Sequence, residues 1–160
     1  MRKVIVNTTP IIALADIGHL DLLRKIYGQI IIPNAVWQEI LSEPAKTLVK
    51  DNSDWILVHE IHDNTQKKMY RARLHDGEVE VMILAQEEQA DLVILDDNAA
   101  KKTAKYLGFT VTGTLGVILK AKREGHIDLV KPLIDDLSST GFFINEQVIQ
   151  YVLEEAGEKQ

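Results

Sequence analysis

The chain has 160 residues, of which 46% are hydrophobic and 26% charged, and its formal net charge is -6. These are the values of an ordinary globular protein of one domain, so they exclude wholesale disorder and a protein that binds nucleic acid mainly through overall positive charge. The chain contains no cysteine, which excludes disulfides, thiolate metal sites and cysteine nucleophiles. No apolar stretch approaches the ~20 residues of a membrane-spanning helix, and the N-terminus lacks the features of a signal peptide. We therefore expect a cytoplasmic protein that does not bind membranes.

Short apolar segments alternate with helical segments along the chain. The predicted strands are rich in β-branched residues and cover residues 3–6, 30–32, 55–58, 90–95 and 109–112. The helices predicted with them cover residues 10–15, 20–26, 35–41, 65–73, 77–89, 99–107 and 114–123. Such alternation requires crossover connections and predicts an α/β fold, in which a mostly parallel sheet is covered by helices on both faces.

The pattern changes after residue 125. Two further helices are predicted at residues 129–137 and 146–155, joined by the apolar residues 141–144. We predict a domain of residues 1–125 and a C-terminal helical extension of residues 126–160, packed on the same domain. Helix caps are predicted at Thr9, Asn34 and Thr114.

Polar residues follow the predicted strands at the edge where functional groups gather in an open parallel sheet. Asn7 follows the first strand, and Asp96 and Asp97 follow the fourth. Glu39 lies among apolar residues on one helix, and Glu78 lies in the first turn of another. We expect these side chains to converge.

Converging carboxylates repel one another unless a cation neutralises them, and Mg²⁺ or Mn²⁺ prefers carboxylate and water oxygens. Hydrolysis of a phosphodiester by metal-activated water is the natural use of such a cluster. Structural interpretations stay open for each residue: Asn7 as a turn residue, Asp97 as a helix cap, and Glu78 as a favourable charge at a helix N-terminus, worth ~0.3–1 kcal/mol. His59 and His62 are interpreted as a surface pair rather than a zinc site, because the local sequence predicts a strand followed by a loop.

Four motifs, in order, resemble those of PIN domains. Residues 4–14 resemble the opening strand and helix of that family, and residues 32–40 resemble its second motif, a glutamate inside an apolar helix. Residues 77–85 resemble the third motif, and residues 90–98 resemble the fourth, an apolar strand ending in Asp-x-Asp. Residues 112–117 are similar to a subgroup related to VapC toxins.

The resemblance implies a three-layer α/β/α fold and a Mg²⁺- or Mn²⁺-dependent ribonuclease. It also implies the toxin of a toxin–antitoxin pair, with RNA as substrate, an antitoxin protein as partner, and a homodimer. Catalytic carboxylates that hold metal are implied at Glu39, Glu78 and Asp96. Further metal ligands are implied at Asn7 and Asn98. Supporting or phosphate-contacting groups are implied at Thr9, Asp97 and Thr114.

Asn7 departs from the family pattern, which has aspartate at that position. Asparagine offers a carbonyl oxygen but no charge, so the implied metal site loses one negative charge. Two functions therefore stay open: an active endoribonuclease, and a catalytically impaired PIN-like protein that binds RNA or protein. A phosphoacceptor receiver domain is less favoured, because it usually has an acidic pair after the first strand and a lysine after the fifth.

Three predicted helices carry basic residues that are either solvated or able to contact phosphate. Phosphate contacts position a nucleic acid without reading its sequence. The residues are Lys67, Lys68, Arg71, Arg73, Lys101, Lys102, Lys105, Lys120, Lys122 and Arg123.

Overall fold

The computed structural model describes residues 2–158. Within this range the chain forms one five-stranded sheet, and every pair of neighbouring strands is parallel. The strands are β1 (Val4–Val6), β2 (Ile30–Pro33), β3 (Ile56–His59), β4 (Leu92–Ile94) and β5 (Val111–Thr112). Their order across the sheet is β3-β2-β1-β4-β5.

Ten helices connect and follow these strands in the described range. They are α1 (Thr8–Asp16), α2 (Asp21–Tyr27), α3 (Asn34–Ile40), α4 (Lys46–Asp51), α5 (Lys67–Tyr70), α6 (Asp76–Glu88), α7 (Asn98–Tyr106), α8 (Thr114–Arg123), α9 (Lys131–Ser139) and α10 (Glu146–Glu155). The predicted α/β fold with helices on both faces of a parallel sheet is confirmed. None of these helices has the length and apolar composition that crossing a bilayer would require.

Helix α4 is absent from the sequence-based assignment, and α5 is shorter than predicted. Helix α4 has six residues, no capping side chain, and one buried residue, Val49. Such a short element shows no hydrophobic periodicity, so its helical form depends on tertiary packing.

The three predicted helix caps at Thr9, Asn34 and Thr114 are wrong. Each of these residues lies inside its helix, because α1 begins at Thr8, α3 at Asn34 and α8 at Thr114. The preceding residues make no side-chain capping bond; they are Asn7, Pro33 and Gly113. The alternative interpretation of Asp97 as a cap is confirmed, because its Oδ2 accepts a hydrogen bond from the Ala100 N–H at 2.9 Å.

The order of the strands creates a topological switch point between β1 and β4. After β1 the chain forms β2 on one side of β1, and it later forms β4 on the other side. The backbone N–H of Asn7 continues this pairing past the end of β1, donating to the carbonyl of Ile94 at 2.9 Å. In open parallel sheets, ligands bind at such a point, outside the carboxyl ends of the strands.

The hydrophobic core surrounds the central strand. All three residues of β1 are fully buried, as the near-continuous apolar run of a strand covered on both faces requires. Leu133 and Leu137 of α9, and Val152 of α10, belong to the same buried cluster as the sheet. The C-terminal helices therefore share the core of the sheet.

Glu158 links the C-terminal end of the described chain to the turn before α9 through hydrogen bonds. Its Oε2 accepts hydrogen bonds from Lys122 Nζ at 2.8 Å and from the Val130 N–H at 2.7 Å, and its Oε1 accepts one from the Lys131 N–H at 3.1 Å. Burial raises the pKa of Glu158, but these hydrogen bonds outweigh it and hold the pKa below its ordinary value of 4.5. The ionised form therefore stabilises the fold.

We expect Glu158→Gln to lower the free energy of unfolding by about 1.5–3 kcal/mol at neutral pH, the range for hydrogen bonds to a charged group. Because the folded-state pKa is lowered, this contribution is present above about pH 4.5 and is lost as the pH falls through the folded value. Urea denaturation at several pH values measures it.

The matched control is Glu155→Gln, which removes the more exposed pair with Arg123. It should change the free energy of unfolding by less than about 1 kcal/mol. Equal effects of the two substitutions would contradict the role assigned to Glu158.

Candidate active site

A cleft of about 210 Å³ lies at the carboxyl end of β1, at the switch point of the sheet. Three of the residues named from the sequence, Asn7, Glu39 and Glu78, line it together. Thr9 lies at its exposed edge. The complete lining is Asn7, Thr8, Thr9, Glu39, His75 and Glu78.

Asn7 supplies a buried oxygen atom to this cleft. The residue is 5% exposed, and its side-chain Oδ1 has no hydrogen-bond partner among residues 2–158. Leaving a buried acceptor unpaired costs about 1–3 kcal/mol, and an acceptor of this kind is commonly satisfied by a bound water or ion. The turn interpretation of Asn7 receives no support from a side-chain bond, because none forms at this helix start.

Glu39 is tied to two neighbouring helices by its carboxylate. Its Oε2 accepts a hydrogen bond from the Thr8 hydroxyl at 2.6 Å, and its Oε1 accepts one from the Gly77 N–H at 3.0 Å. A Cβ on residue 77 would overlap Glu39 Oε1, so a larger residue there would make the Glu39 carboxylate move from its present position. Each carboxylate oxygen accepts one of these bonds and keeps further acceptor capacity for a ligand.

Glu78 is the buried acid of the cleft, at 5% exposure. Its Oε1 accepts a hydrogen bond from the His75 N–H at 3.0 Å, which forms a capping box at the start of α6. Burial raises the pKa of Glu78, and the negative charges of Asp97 and Glu39 raise it further, while the His75 N–H bond and the His75 side chain oppose the rise. Ionisation of Glu78 is therefore harder than that of an exposed glutamate, and a cation beside it would make ionisation easier.

Asp96 does not line this cleft. Its two oxygens accept hydrogen bonds from Thr114, Oδ1 from the N–H at 2.8 Å and Oδ2 from the hydroxyl at 2.7 Å. Thr114 is fully buried, so the Asp96 carboxylate joins the end of β4 to the start of α8. It lines a neighbouring groove instead, together with the exposed Asn98.

Asp97 acts on the cleft through its charge. It is exposed at the N-terminus of α7, and its charge contributes to the raised pKa of Glu78. The structure thus brings Asn7, Glu39 and Glu78 into one cleft, and the charge of Asp97 acts on it, whereas Asp96 is not among the residues that line it.

Two residues of the cleft were missed from the sequence. Thr8 lies between Asn7 and Thr9 in the opening motif. Its hydroxyl holds Glu39, which lies 31 positions further along the chain, so the local sequence does not reveal this role. His75 caps α6, but it does not belong to the Ser, Thr, Asp and Asn set that marks a helix start in a sequence. Its spacing of three from Glu78 was the available signal.

The donors of the cleft fit a hard divalent cation. Across residues 2–158 no three His, Cys, Asp or Glu side chains are grouped closely enough to enclose a metal ion. Mg²⁺, however, is usually bound through one or two carboxylates, with waters and substrate phosphates completing its shell. Two carboxylates, Glu39 and Glu78, and the unpaired oxygen of Asn7 match that requirement.

A zinc site at His59 and His62 receives no support from the structure. The Nδ1 of His59 lies 2.6 Å from Glu88 Oε2, and the backbone N–H of His62 donates to Glu87. His62 is exposed. These contacts agree with the interpretation as a surface pair.

We expect Glu78→Gln to raise the free energy of unfolding at neutral pH. Because the folded-state pKa of Glu78 is raised, the wild type loses stability as the pH increases from about 4.5 through that value. Glutamine keeps an oxygen for the His75 N–H and removes the buried charge. Urea denaturation should show a difference from the wild type that vanishes at acidic pH.

Glu80→Gln on the same helix is the control. Glu80 accepts from the Ala35 N–H at 3.0 Å and pairs with Lys67 at 3.2 Å, so this substitution should not stabilise the protein. A Glu78→Gln protein that is less stable than the wild type at neutral pH would show that the buried charge is compensated.

Comparison with known families agrees with the geometry. The sequence profile described as a PIN domain matches residues 3–158, and no curated protein matches the chain at a significant level. The match covers nearly the whole chain and confirms the PIN-domain resemblance of the four motifs, while the VapC-related subgroup stays a prediction. With its three-layer parallel fold of the nuclease type and its polar cleft at the switch point, the chain belongs to the PIN-domain family.

Proposed function

We propose that the protein is a divalent-metal-dependent endoribonuclease. The observation that carries the proposal is the cleft at the switch point, where the buried, unpaired Oδ1 of Asn7 meets the carboxylates of Glu39 and Glu78. An uncompensated buried acid and an unpaired buried oxygen both reduce stability. Their retention in one cleft is best explained by a ligand that satisfies both.

In this proposal Glu39, Glu78 and Asn7 hold the metal, and Asp97 adds negative charge beside them. Bound there, Mg²⁺ or Mn²⁺ supplies an activated water and neutralises charge on the scissile phosphate. The chain's own contribution is positional. Thr8 and the Gly77 N–H fix the carboxylate of Glu39, and the His75 N–H fixes that of Glu78.

A groove of about 340 Å³ adjoins the cleft and offers a path for a polyanion. It shares Glu39 with the cleft and is lined by Lys67 and Arg71 of the α5 segment. Each of these cations is paired, Lys67 with Glu80 and Arg71 with Asp76. The Arg71–Asp76 pair is exposed, and such pairs contribute little to stability, so a phosphate can replace Asp76 as the partner of Arg71. The choice of RNA over DNA rests on the family resemblance.

We expect Glu39→Gln to reduce RNA cleavage with Mn²⁺ by at least about 100-fold and to weaken Mn²⁺ binding by about tenfold, since one ligand charge is removed. Glutamine keeps the shape of the side chain and an oxygen for the Thr8 hydroxyl. Cleavage of a labelled single-stranded RNA and calorimetric titration with Mn²⁺ measure the two effects.

Glu43→Gln is the matched control, because it neutralises a nearby carboxylate that lies outside the cleft. It should leave both quantities unchanged. Cleavage that survives Glu39→Gln would come from a contaminating nuclease or from another site, and either result contradicts the proposal.

A catalytically impaired RNA- or protein-binding protein is the second candidate. Asn7 favours it, because the site has one charge fewer than the family pattern. Asn7→Asp separates the two candidates. In an impaired site it should raise Mn²⁺ affinity by about tenfold and create cleavage that the wild type lacks.

An active wild type gives a different result in the same assay. Its cleavage would already depend on Glu39, and Asn7→Asp would tighten metal binding without creating a new activity. A wild type that cleaves RNA in a Glu39-dependent manner therefore excludes the impaired candidate.

The proposal extends to a toxin of a toxin–antitoxin pair that forms a homodimer. This part rests on the similarity of residues 112–117 to the VapC-related subgroup. Residues 124–160 contain eight acidic and two basic side chains, so an antitoxin with a basic segment would complement their charge.

A further inference from the structure

Helix α7 presents lysines that have no acidic partner. Its nine residues include three lysines and no acidic residue, although the whole chain has a net charge of -6. Lys102 and Lys105 are exposed, and within residues 2–158 neither ammonium group has an ion pair or a hydrogen bond. Like charges one turn apart destabilise a helix. An anion bound on this face of α7 would remove that repulsion.

The third lysine of α7 is compensated by a carboxylate. Lys101 is half-buried and lines the groove that also contains Asp96. The Lys101 Nζ lies 2.9 Å, and the Asp96 Oδ1 2.8 Å, from the position that a Cβ on Gly113 would occupy. The two charges therefore face the same point. The inference depends on Lys102 and Lys105, which do not line that groove.

Tyr106 adds an aromatic ring to the exposed face of α7. It is 90% exposed and follows Lys102 by four positions, so the two side chains are neighbours on the helix surface. Lys105 follows Lys102 by three positions and lies on the same face. The opposite face is buried through Ala100 and Ala104, which holds the helix in place. We call Lys102, Lys105 and Tyr106 the α7 surface.

Helix α7 begins at the edge of the sheet that contains the candidate active site. It follows β4, the strand paired with β1, and the Asn7 N–H at the end of β1 donates to Ile94 of β4. Asp97 at the start of α7 acts through its charge on Glu78 in the cleft. From this edge the nine residues of α7 extend for roughly 13 Å. A strand bound in the cleft can therefore continue along the α7 surface.

The composition of α7 favours a nucleic-acid strand over a protein as the occupant. The centres of protein interfaces are apolar and depleted in lysine, whereas the exposed residues of α7 are Asn98, Ala99, Lys102, Lys105 and Tyr106. Lysines bind phosphate groups, and an exposed aromatic ring stacks on a base. Cations and an aromatic ring on one face are the combination that single-stranded nucleic acids require.

We propose that the α7 surface binds single-stranded RNA outside the cleft, with Lys102 and Lys105 on phosphates and Tyr106 stacked on a base. The inference rests on the proposed function and adds the route that the strand follows away from the point of cleavage. Phosphate contacts and stacking both accept any sequence. The α7 surface therefore provides affinity rather than sequence specificity.

The test is RNA binding without cleavage. The probe is a fluorescein-labelled single-stranded 12-nucleotide RNA, titrated with the full chain in EDTA and followed by anisotropy. The double variant Lys102→Gln/Lys105→Gln should reduce the slope of log K against log salt by about 1.4, since each phosphate contact contributes ~0.7. Tyr106→Ala should raise Kd by about tenfold, within the range for losing one stacked base. Tyr106→Phe keeps the ring and should keep wild-type affinity.

The chain offers a matched control for each variant. Lys46 and Lys50 are exposed, lie four positions apart and have no ion pair in the described chain, but they belong to α4, which precedes β3 at the other edge of the sheet. Tyr151 of α10 is 61% exposed. Lys46→Gln/Lys50→Gln and Tyr151→Ala should leave Kd and the salt dependence unchanged.

Four results would overturn the inference. Wild-type protein could fail to bind the probe, or the α4 double variant could weaken binding as much as the α7 double variant does. The α7 variants could bind RNA as tightly as the wild type while cleavage still depends on Glu39, which would leave the proposed function intact. The α7 double variant could also fall from dimer to monomer by light scattering with unchanged RNA binding, which would assign the surface to a second copy.

A different result separates the inference from the proposed function. Binding that depends on Lys102, Lys105 and Tyr106, in a protein that shows no Glu39-dependent cleavage with Mn²⁺, supports the α7 surface and contradicts the nuclease activity.

Discussion

The arrangement of the candidate site depends on one carboxylate, that of Glu39. It accepts a hydroxyl bond from Thr8 and a backbone N–H bond from Gly77, and thereby joins the starts of α1 and α6 to α3. Because Gly77 has no side chain, α6 can approach Glu39 closely enough to place the neighbouring Glu78 in the same cleft. The packing of α3 against α6 brings together two acids that lie 39 positions apart in the sequence, and this bond fixes the position of one of them.

The cleft contains two features that lower the stability of the fold. Glu78 is buried near other negative charges, and Asn7 keeps an unpaired oxygen among the described residues. Both features reduce the stability of the fold by itself. They are tolerated because the surrounding apolar core, centred on β1, is extensive, and because a cation in the cleft would compensate them. Functional sites commonly depart from the local rules of stability in this way.

The two acids after β4 have separate tasks. Both carboxylate oxygens of Asp96 accept hydrogen bonds from Thr114. These bonds fix the start of α8, which borders the groove that contains Lys101. Asp97 caps α7 and adds its charge near Glu78. The two acids that follow β4 therefore stabilise the starts of two different helices.

The sequence by itself determined the parallel α/β architecture, because apolar β-branched runs alternating with amphipathic helices have few other ways to bury their surfaces. It also indicated that Asn7, Asp96 and Asp97 lie at the edge where parallel strands end, and that Glu39 and Glu78 approach that edge from neighbouring helices. Only the tertiary structure decided that Asp96 turns to Thr114, that Thr8 and Gly77 hold Glu39, and that α1 and α8 begin without the predicted caps. These outcomes depend on contacts between residues far apart in the chain, and local propensity carries no information about such contacts.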